Sequence, residues 1–301
     1  MVLEGYSHPL YAESFFEIGQ PLFLPRSKGW IIKRPISGTD LFDAMGPYPL
    51  FCCDDWNTLL DDLQDLREDL VSLSMVLDPF ADVPMEGFDQ FFDIFSPYKD
   101  HYLLDTSLPL IETISKWSRR DARRALKEVS VDVVSAPHID LDEWLYVYEH
   151  LIKRHNVTGI RTFSRESFSR QIAIPNTHFF RAWDKNELVG GNLYFIQNKI
   201  AYGHLLALTD RGYHLGASHA IKWTAVHTLG NQVEWFNWGG GTGLNNANLS
   251  GLDKFKMGWS NTTKQAYFCA KVYNKGKYEE LAAERGFSTS NWFPAYRSGD
   301  F

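Results

Sequence analysis

The chain has 301 residues, 44% of them hydrophobic and 22% charged, the make-up of a globular protein with room for two domains. A formal net charge of −7 excludes a general nucleic-acid coat, because phosphate affinity comes from clustered cations, yet it leaves room for a local basic patch. The cysteines Cys52, Cys53 and Cys269 form neither a zinc pattern nor a disulfide framework, so a reducing, cytoplasmic setting with no metal site is expected. The N-terminal stretch MVLEGYSHPLYAESFF lacks the basic start and apolar core of a signal peptide. No apolar run approaches the roughly 20 residues of a membrane helix.

In chain order, residues 21–36 predict a hairpin with Ser27, Lys28 and Gly29 at its turn. Leucines at helical spacing over 54–70 predict a helix with aspartates on its other face and Asp54 or Asp55 as N-cap. Strands are expected at 70–79 and 100–107, then a helix over 110–128 and a strand over 129–136. Helices follow at 140–155 and 164–173. Three strands between 178 and 209, separated by tight turn signals, predict an antiparallel meander. A helix at 216–229, a strand at 233–238, a short helix near 251–259, a strand at 266–273 and a helix at 278–286 complete the pattern. This is an α/β layout with mixed sheets, and the sequence places a boundary between its halves near residue 130, giving domains 1–130 and 131–301.

The stretch FNWGGGTGLNNANLSGLDKFKMGWS (236–260) interrupts this regularity. Glycine weakens strands and helices, so Gly239, Gly240, Gly241 and Gly243 point to a turn, a bulge or a close backbone approach. The bland reading is a surface loop. The sharper one is a loop that carries Lys256 to a substrate.

This block resembles the glycine loop and Phe-Lys pair of the Fem-type peptidoglycan-bridge aminoacyltransferases, within the wider GNAT acyltransferase fold. ISKWSRRDARRALKEVSVDV (114–133) is similar to the basic helix and strand joining that family's halves, and residues 187–230 are similar to its central meander and helix. The resemblance implies tandem GNAT-like domains with mixed central sheets flanked by helices, an α/β (α+β) architecture. It also implies amide formation, with aminoacyl-tRNA as donor and a small peptide or nucleotide-linked amine as acceptor, as in a cell-wall precursor or a peptide natural product. Phe255 and Lys256 would lie beside the reacting carbonyl. The chain departs from the family at Asn237, where relatives often carry an acid, and in lacking a heptad-patterned helical arm.

An activated donor needs alignment, charge stabilisation of a tetrahedral oxyanion and a place for the amine's proton. Lys256 suits the charge, with a snorkelling surface lysine as the plain alternative. His204 is the candidate base, with Tyr202 on the same strand face, although a lone strand histidine is more often a core residue. Lys116, Arg119, Arg120, Arg123, Arg124 and Lys127 fall within an arc of roughly 140° at 100° per residue, opposite Ile114, Ala122, Ala125 and Leu126. That stripe either binds phosphate or is a solvated face paired with Asp121, Glu128 and the acidic 54–70 helix. Asn237 and Gly239, Gly240 and Gly241 are taken as substrate-binding. The segment DRGYHLGAS (210–218) reads as a loop offering backbone N–H groups, with Arg211, Gly212, Gly216 and Ala217 as donor-binding residues. Their spacing is wrong for the acyl-CoA motif, which makes an acyl-CoA donor the alternative to aminoacyl-tRNA. A non-catalytic nucleotide- or peptide-binding module is the rival from another class.

Overall fold

A computed structural model describes residues 3–241, 250–287 and 290–298. The elements begin with helix α1 (Pro9–Glu13), strands β1 (Gln20–Phe23), β2 (Trp30–Pro35) and β3 (Phe42–Met45), helix α2 (Leu59–Asp65), strand β4 (Ser72–Val76) and helix α3 (Met85–Phe91). Strand β5 (Ile94–Asp105), helices α4 (Leu110–Thr113) and α5 (Lys116–Ala125), strand β6 (Ser130–Ser135) and helices α6 (Leu141–His155) and α7 (Arg165–Gln171) follow. Then come strands β7 (Thr177–Asp184), β8 (Glu187–Gln197) and β9 (Ile200–Leu208) and helices α8 (Asp210–Leu215) and α9 (Ala217–Leu229). Strand β10 (Trp235–Gly240), helix α10 (Gly251–Met257), strand β11 (Thr262–Val272) and helix α11 (Lys275–Glu284) end the series.

The described residues fall into two compact units, one drawn from 1–98, 158–170 and 266–301, the other from 99–157 and 171–265. Residue 130, where the sequence analysis places a domain boundary, lies inside the second unit. The reason is pairing on both sides of it: α5 packs on α9 through Ala122 and Ala125, and β6 pairs with β7.

Within the first unit, β1, β2 and β3 form an antiparallel meander, β3 runs parallel to β4, and β11 closes antiparallel to β4. Within the second, β6, β7, β8 and β9 form the meander, β9 runs parallel to β10, and β5 closes antiparallel to β10. The two sets of strands, members of one 11-stranded sheet, share one plan without any repeat in the sequence. The expected tandem, mixed-sheet layout is the one observed.

Local chemistry explains where the elements start and stop. The β8–β9 turn places Asn198 and Lys199 at φ 49° and 60°, the paired left-handed conformation of a two-residue hairpin. Helix α6 begins on Asp140, whose carboxylate accepts from the N–H groups of Asp142 and Glu143. Two expected helices are shorter than their periodicity. The helix over 54–70 shrinks to α2 with Thr58 as N-cap, because Asp55 closes a local turn with Asn57 N–H and the N–H groups of Asp54 and Asp55 both donate to Ser27 O. The helix over 110–128 breaks after α4, because extended Ile114 leads into Ser115, whose Oγ caps α5 by accepting from Ser118 N–H.

Candidate active site at the glycine loop

The site is built in the second unit where β10 leaves the sheet. Trp235, Phe236 and Asn237 pair in parallel with Ile200, Ala201 and Tyr202 of β9, and on the other edge with Asp105, Leu104 and Leu103 of β5. The register then shifts, so that Gly240 rather than Gly239 faces His101 of β5. Such a bulge re-aims the side chains beside it. Gly239 sits at φ 82°, which L side chains rarely adopt, and a Cβ there would come within 3.2 Å of Lys256 Nζ. At Gly241 a Cβ would lie 2.7 Å from Asp253 Oδ1. The glycines therefore serve close approach: Lys256 and Asp253 stand where side chains of the loop would otherwise be. Gly243 lies outside the described residues.

Lys256 and Phe255 come from α10. Ser250 Oγ accepts from Asp253 N–H, and the Asp253 carboxylate accepts from Ser250 N–H at 3.0 Å and Ser250 Oγ at 2.6 Å, a reciprocal cap that fixes the helix start. One turn on, the half-buried Lys256 donates from Nζ to Gly240 O at 2.7 Å. No ion pair holds its ammonium among the described residues. Burial lowers its pKa to about 8; Asp253 opposes that shift and Lys99 adds to it. At neutral pH the group is a cation in a poorly hydrated place. Phe255 packs on the central core and meets the His219 ring edge-on at 4.9 Å.

Behind this pair lies a residue the sequence reading did not single out. Lys222 of α9 is 4% exposed, with Nζ 3.5 Å from the Trp238 ring centroid and 5.5 Å from that of Phe255. It has no hydrogen bond or ion pair among the described residues. Burial first, and the charge of Lys256 second, hold its pKa well below the usual lysine range. Trp238 Nε1 donates to Trp259 O at 2.8 Å, and Trp259 Nε1 to His219 Nδ1 at 3.3 Å, so the aromatic floor is itself braced. The available signal was one lysine in an apolar helix, between buried Ala220, Ile221, Ala225 and Val226.

A second missed residue is His101, 6% exposed, whose Nδ1 lies 3.0 Å from Asn237 Oδ1. Asn237 Oδ1 also accepts from Gly239 N–H at 2.8 Å, while Asn237 Nδ2 is buried without a partner. Burial lowers the His101 pKa to about 4; the Asn237 bond opposes the shift, and Lys256 and Lys99 add to it.

The other expected site residues divide. His204 is buried, stacked on Phe195 at 4.6 Å with Nε2 3.1 Å from Gln171 Oε1, and burial lowers its pKa to about 3. Those contacts are those of a packed core histidine. Tyr202 is 2% exposed in the β9 ladder opposite Asn237. Lys116, Arg123 and Arg124 on α5, and Lys127 in the turn after it, are exposed and make no ion pair or hydrogen bond through their side chains among the described residues. Arg120 pairs with Asp121 at 2.8 Å and covers the exposed Trp117 ring, while Arg119 donates to the carbonyls of Ile111 and Ile114 and so caps α4. Leu126, expected on the apolar side, is 37% exposed because the helix ends at Ala125. The first turn of α5 docks on the end of α10: Ser115 N–H donates to Gly258 O at 2.9 Å, and a side chain at Gly258 would meet Ser118 Oγ.

The expected donor loop is a helix. Residues 210–215 form α8, capped by Thr209 Oγ1, which accepts from Gly212 N–H. A side chain at Gly212 would meet the Val189 carbonyl, so this glycine serves packing. Arg211 is spent on Asp184 at 2.8 Å. Gly216, at φ 71°, ends α8 and precedes buried Ala217, the first residue of α9. The described residues contain no cluster of metal-ligating side chains.

No family model and no curated protein matches the sequence. Solved structures do match in shape. FemX superposes with a TM-score of 0.67 at 12% identity, over 91% of this chain and 93% of that one. The C-terminal domain (DUF2156) of a putative lysylphosphatidylglycerol synthetase from Agrobacterium fabrum gives 0.65 at 14% identity, over 94% and 91%. L-PGS from Bacillus licheniformis gives 0.58 at 13% identity, over 91% and 95%. At such identities the likeness establishes architecture: this chain has the tandem GNAT-like fold found in FemX and these two structures.

Proposed function

We propose that the chain is an N-acyltransferase that moves an aminoacyl group from aminoacyl-tRNA to the amine of a small peptide or nucleotide-linked acceptor, in the cytoplasm and without a bound cofactor. The observation that carries this reading is Lys256, an ammonium held on Gly240 O, packed beside Phe255 and left without a carboxylate partner. An aminoacyl ester is already activated, so the protein's work is to align the amine and stabilise the tetrahedral oxyanion. A cation fixed in a poorly hydrated place does the latter without reorganising during the reaction.

The donor assignment rests on α5 and α8. Three exposed cations on α5 and Lys127 just past it make no ion pair among the described residues, and the start of the helix is docked to the end of α10. They suit the phosphates of an RNA acceptor end. The place where a coenzyme A pyrophosphate would be sought is a closed helix with its arginine already paired. The test is turnover with a panel of amine acceptors and two donor classes, charged tRNA and acyl-CoA. Amide formation from charged tRNA, abolished by RNase, is expected. Robust transfer from acyl-CoA in RNA-free protein would overturn the donor assignment, and binding without transfer from either class would return the chain to a binding module.

A further inference from the structure

We propose that His101 accepts the attacking amine's proton through Nε2, and that Asn237 is the positioning residue that holds the imidazole in the required tautomer. The inference rests on the transferase reading and supplies the base that this reading lacks.

Gly239 N–H can only donate, and it lies 2.8 Å from Asn237 Oδ1, which fixes which end of the amide faces it. The same oxygen lies 3.0 Å from His101 Nδ1. A carbonyl oxygen can only accept, so Nδ1 carries the hydrogen and Nε2 keeps its lone pair. Nε2 has no partner among the described residues, and a Cβ at Gly240 would lie 3.3 Å from it. The lone pair is thus presented at the backbone of the residue whose carbonyl holds Lys256 Nζ. Turning the amide over would set Nδ2 against Gly239 N–H, donor against donor, and leave that backbone hydrogen without its acceptor. The price of the observed orientation is Asn237 Nδ2, buried with no acceptor.

The charges acting on the ring are Lys256 from α10 and Lys99 on its own strand, both positive. Together with burial they keep the imidazole neutral near pH 7. Such a base is weak towards a free ammonium but adequate here. When the neutral amine adds to the ester carbonyl, the C–N bond forms and the carbonyl electron pair moves to oxygen beside Lys256. The nitrogen of that adduct carries a positive charge and is far more acidic than the free ammonium. Nε2 takes its proton. The oxyanion's electron pair then re-forms the carbonyl, the C–O bond to the donor oxygen breaks with its pair leaving on that oxygen, and the imidazolium returns the proton to it. Asn237 thereby has a role that no carboxylate is needed for, and the departure of this chain from the acidic residue of the resemblance acquires a physical sense.

The experiment pairs kinetics with nitrogen NMR of the resting protein. His101→Gln, which can still donate to Asn237 but offers no base, should lower single-turnover transfer by about 10²-fold or more. His101→Ala should lose as much and regain rate with added imidazole. In the wild type, His101 should show a protonated Nδ1 and a lone pair on Nε2, and Asn237→Leu should mix the tautomers. Transfer by His101→Gln within twofold of wild type, or a resting Nε2–H tautomer, would overturn the proposal. If wild-type protein transfers from no donor while the Nδ1–H tautomer is seen, the transferase reading falls, and the base assignment falls with it although the geometry stands.

Discussion

In the first unit the fully buried carboxylate of Asp43 accepts from Arg34 Nε at 2.9 Å, from Arg297 Nε at 2.6 Å and Nη2 at 3.1 Å, and from Tyr296 O–H at 3.1 Å. In the second unit, among the described residues, the buried Lys222 amine meets aromatic faces and no carboxylate, and Lys256 donates to one backbone carbonyl. Both units share a meander, a parallel pair and a closing strand, yet they treat buried charge in opposite ways. A paired, saturated ion cluster specifies and locks a structure. Buried cations that the protein leaves unpaired cost stability and are retained where a ligand supplies the missing charge. The contrast fits scaffolding at the first site and the proposed chemistry at the second, although both units follow the same strand plan.

The largest expected effect breaks the saturated site. Asp43→Ala takes away the carboxylate that Arg34 and Arg297 share, leaving two buried guanidinium charges uncompensated by it, and unfolding free energy should fall by about 3–5 kcal/mol in urea denaturation. Removing the buried amine of the other site should do the reverse. Lys222→Met keeps most of the stem against Trp238 and removes a polar group that has no hydrogen bond among the described residues, so the denaturation midpoint should hold or rise. A midpoint drop as large as that of Asp43→Ala would erase the distinction between the two units.

A second effect sharpens the role of Lys256 through pH. Its pKa of about 8 means that its charge is complete well below that value and is lost as the pH rises through it. Transfer should therefore fall on the alkaline side by about tenfold per unit beyond the midpoint. In Lys256→Arg any residual transfer should lack this limb, because guanidinium does not titrate there. An alkaline limb unchanged in Lys256→Arg would assign it to another group.

The smallest effect concerns α5. Arg123→Gln with Arg124→Gln should weaken binding of charged tRNA and reduce the slope of its salt dependence by roughly one to two ions. Stability should move by no more than about 1 kcal/mol, since neither exposed arginine is paired. An unchanged slope would leave α5 a solvated face. Arg119→Gln should instead show a stability loss, because its guanidinium caps α4.

How much of this was legible in the sequence follows from the range of the interactions. The meander was legible because alternation and turn chemistry are local, as at Asn198 and Lys199. The Phe255-Lys256 pair was legible because its glycines sit beside it in the chain. His101 was not, because its partner Asn237 is 136 residues away and the register shift joining them is a tertiary event. Asn237 itself was read as a substrate ligand, whereas its oxygen is committed to Gly239 and His101. Lys222 looked like any helical lysine, and only the packing of Trp238 and Phe255 around it reveals its burial. The acidic 54–70 segment misled in part: leucine spacing was right and Asp61 and Asp65 are exposed, but Asp54 and Asp55 belong to turn chemistry and Asp62 is buried, accepting from Ser27 Oγ at 2.8 Å.

The most direct test of the account is the single-turnover transfer rate of Lys256→Met beside its denaturation midpoint. Methionine keeps the stem on α10 and removes only the ammonium and its bond to Gly240 O. The account predicts transfer reduced by about 10²-fold or more, as on removal of an oxyanion donor, with a midpoint no lower than wild type. Near-normal transfer from a folded Lys256→Met protein would contradict it.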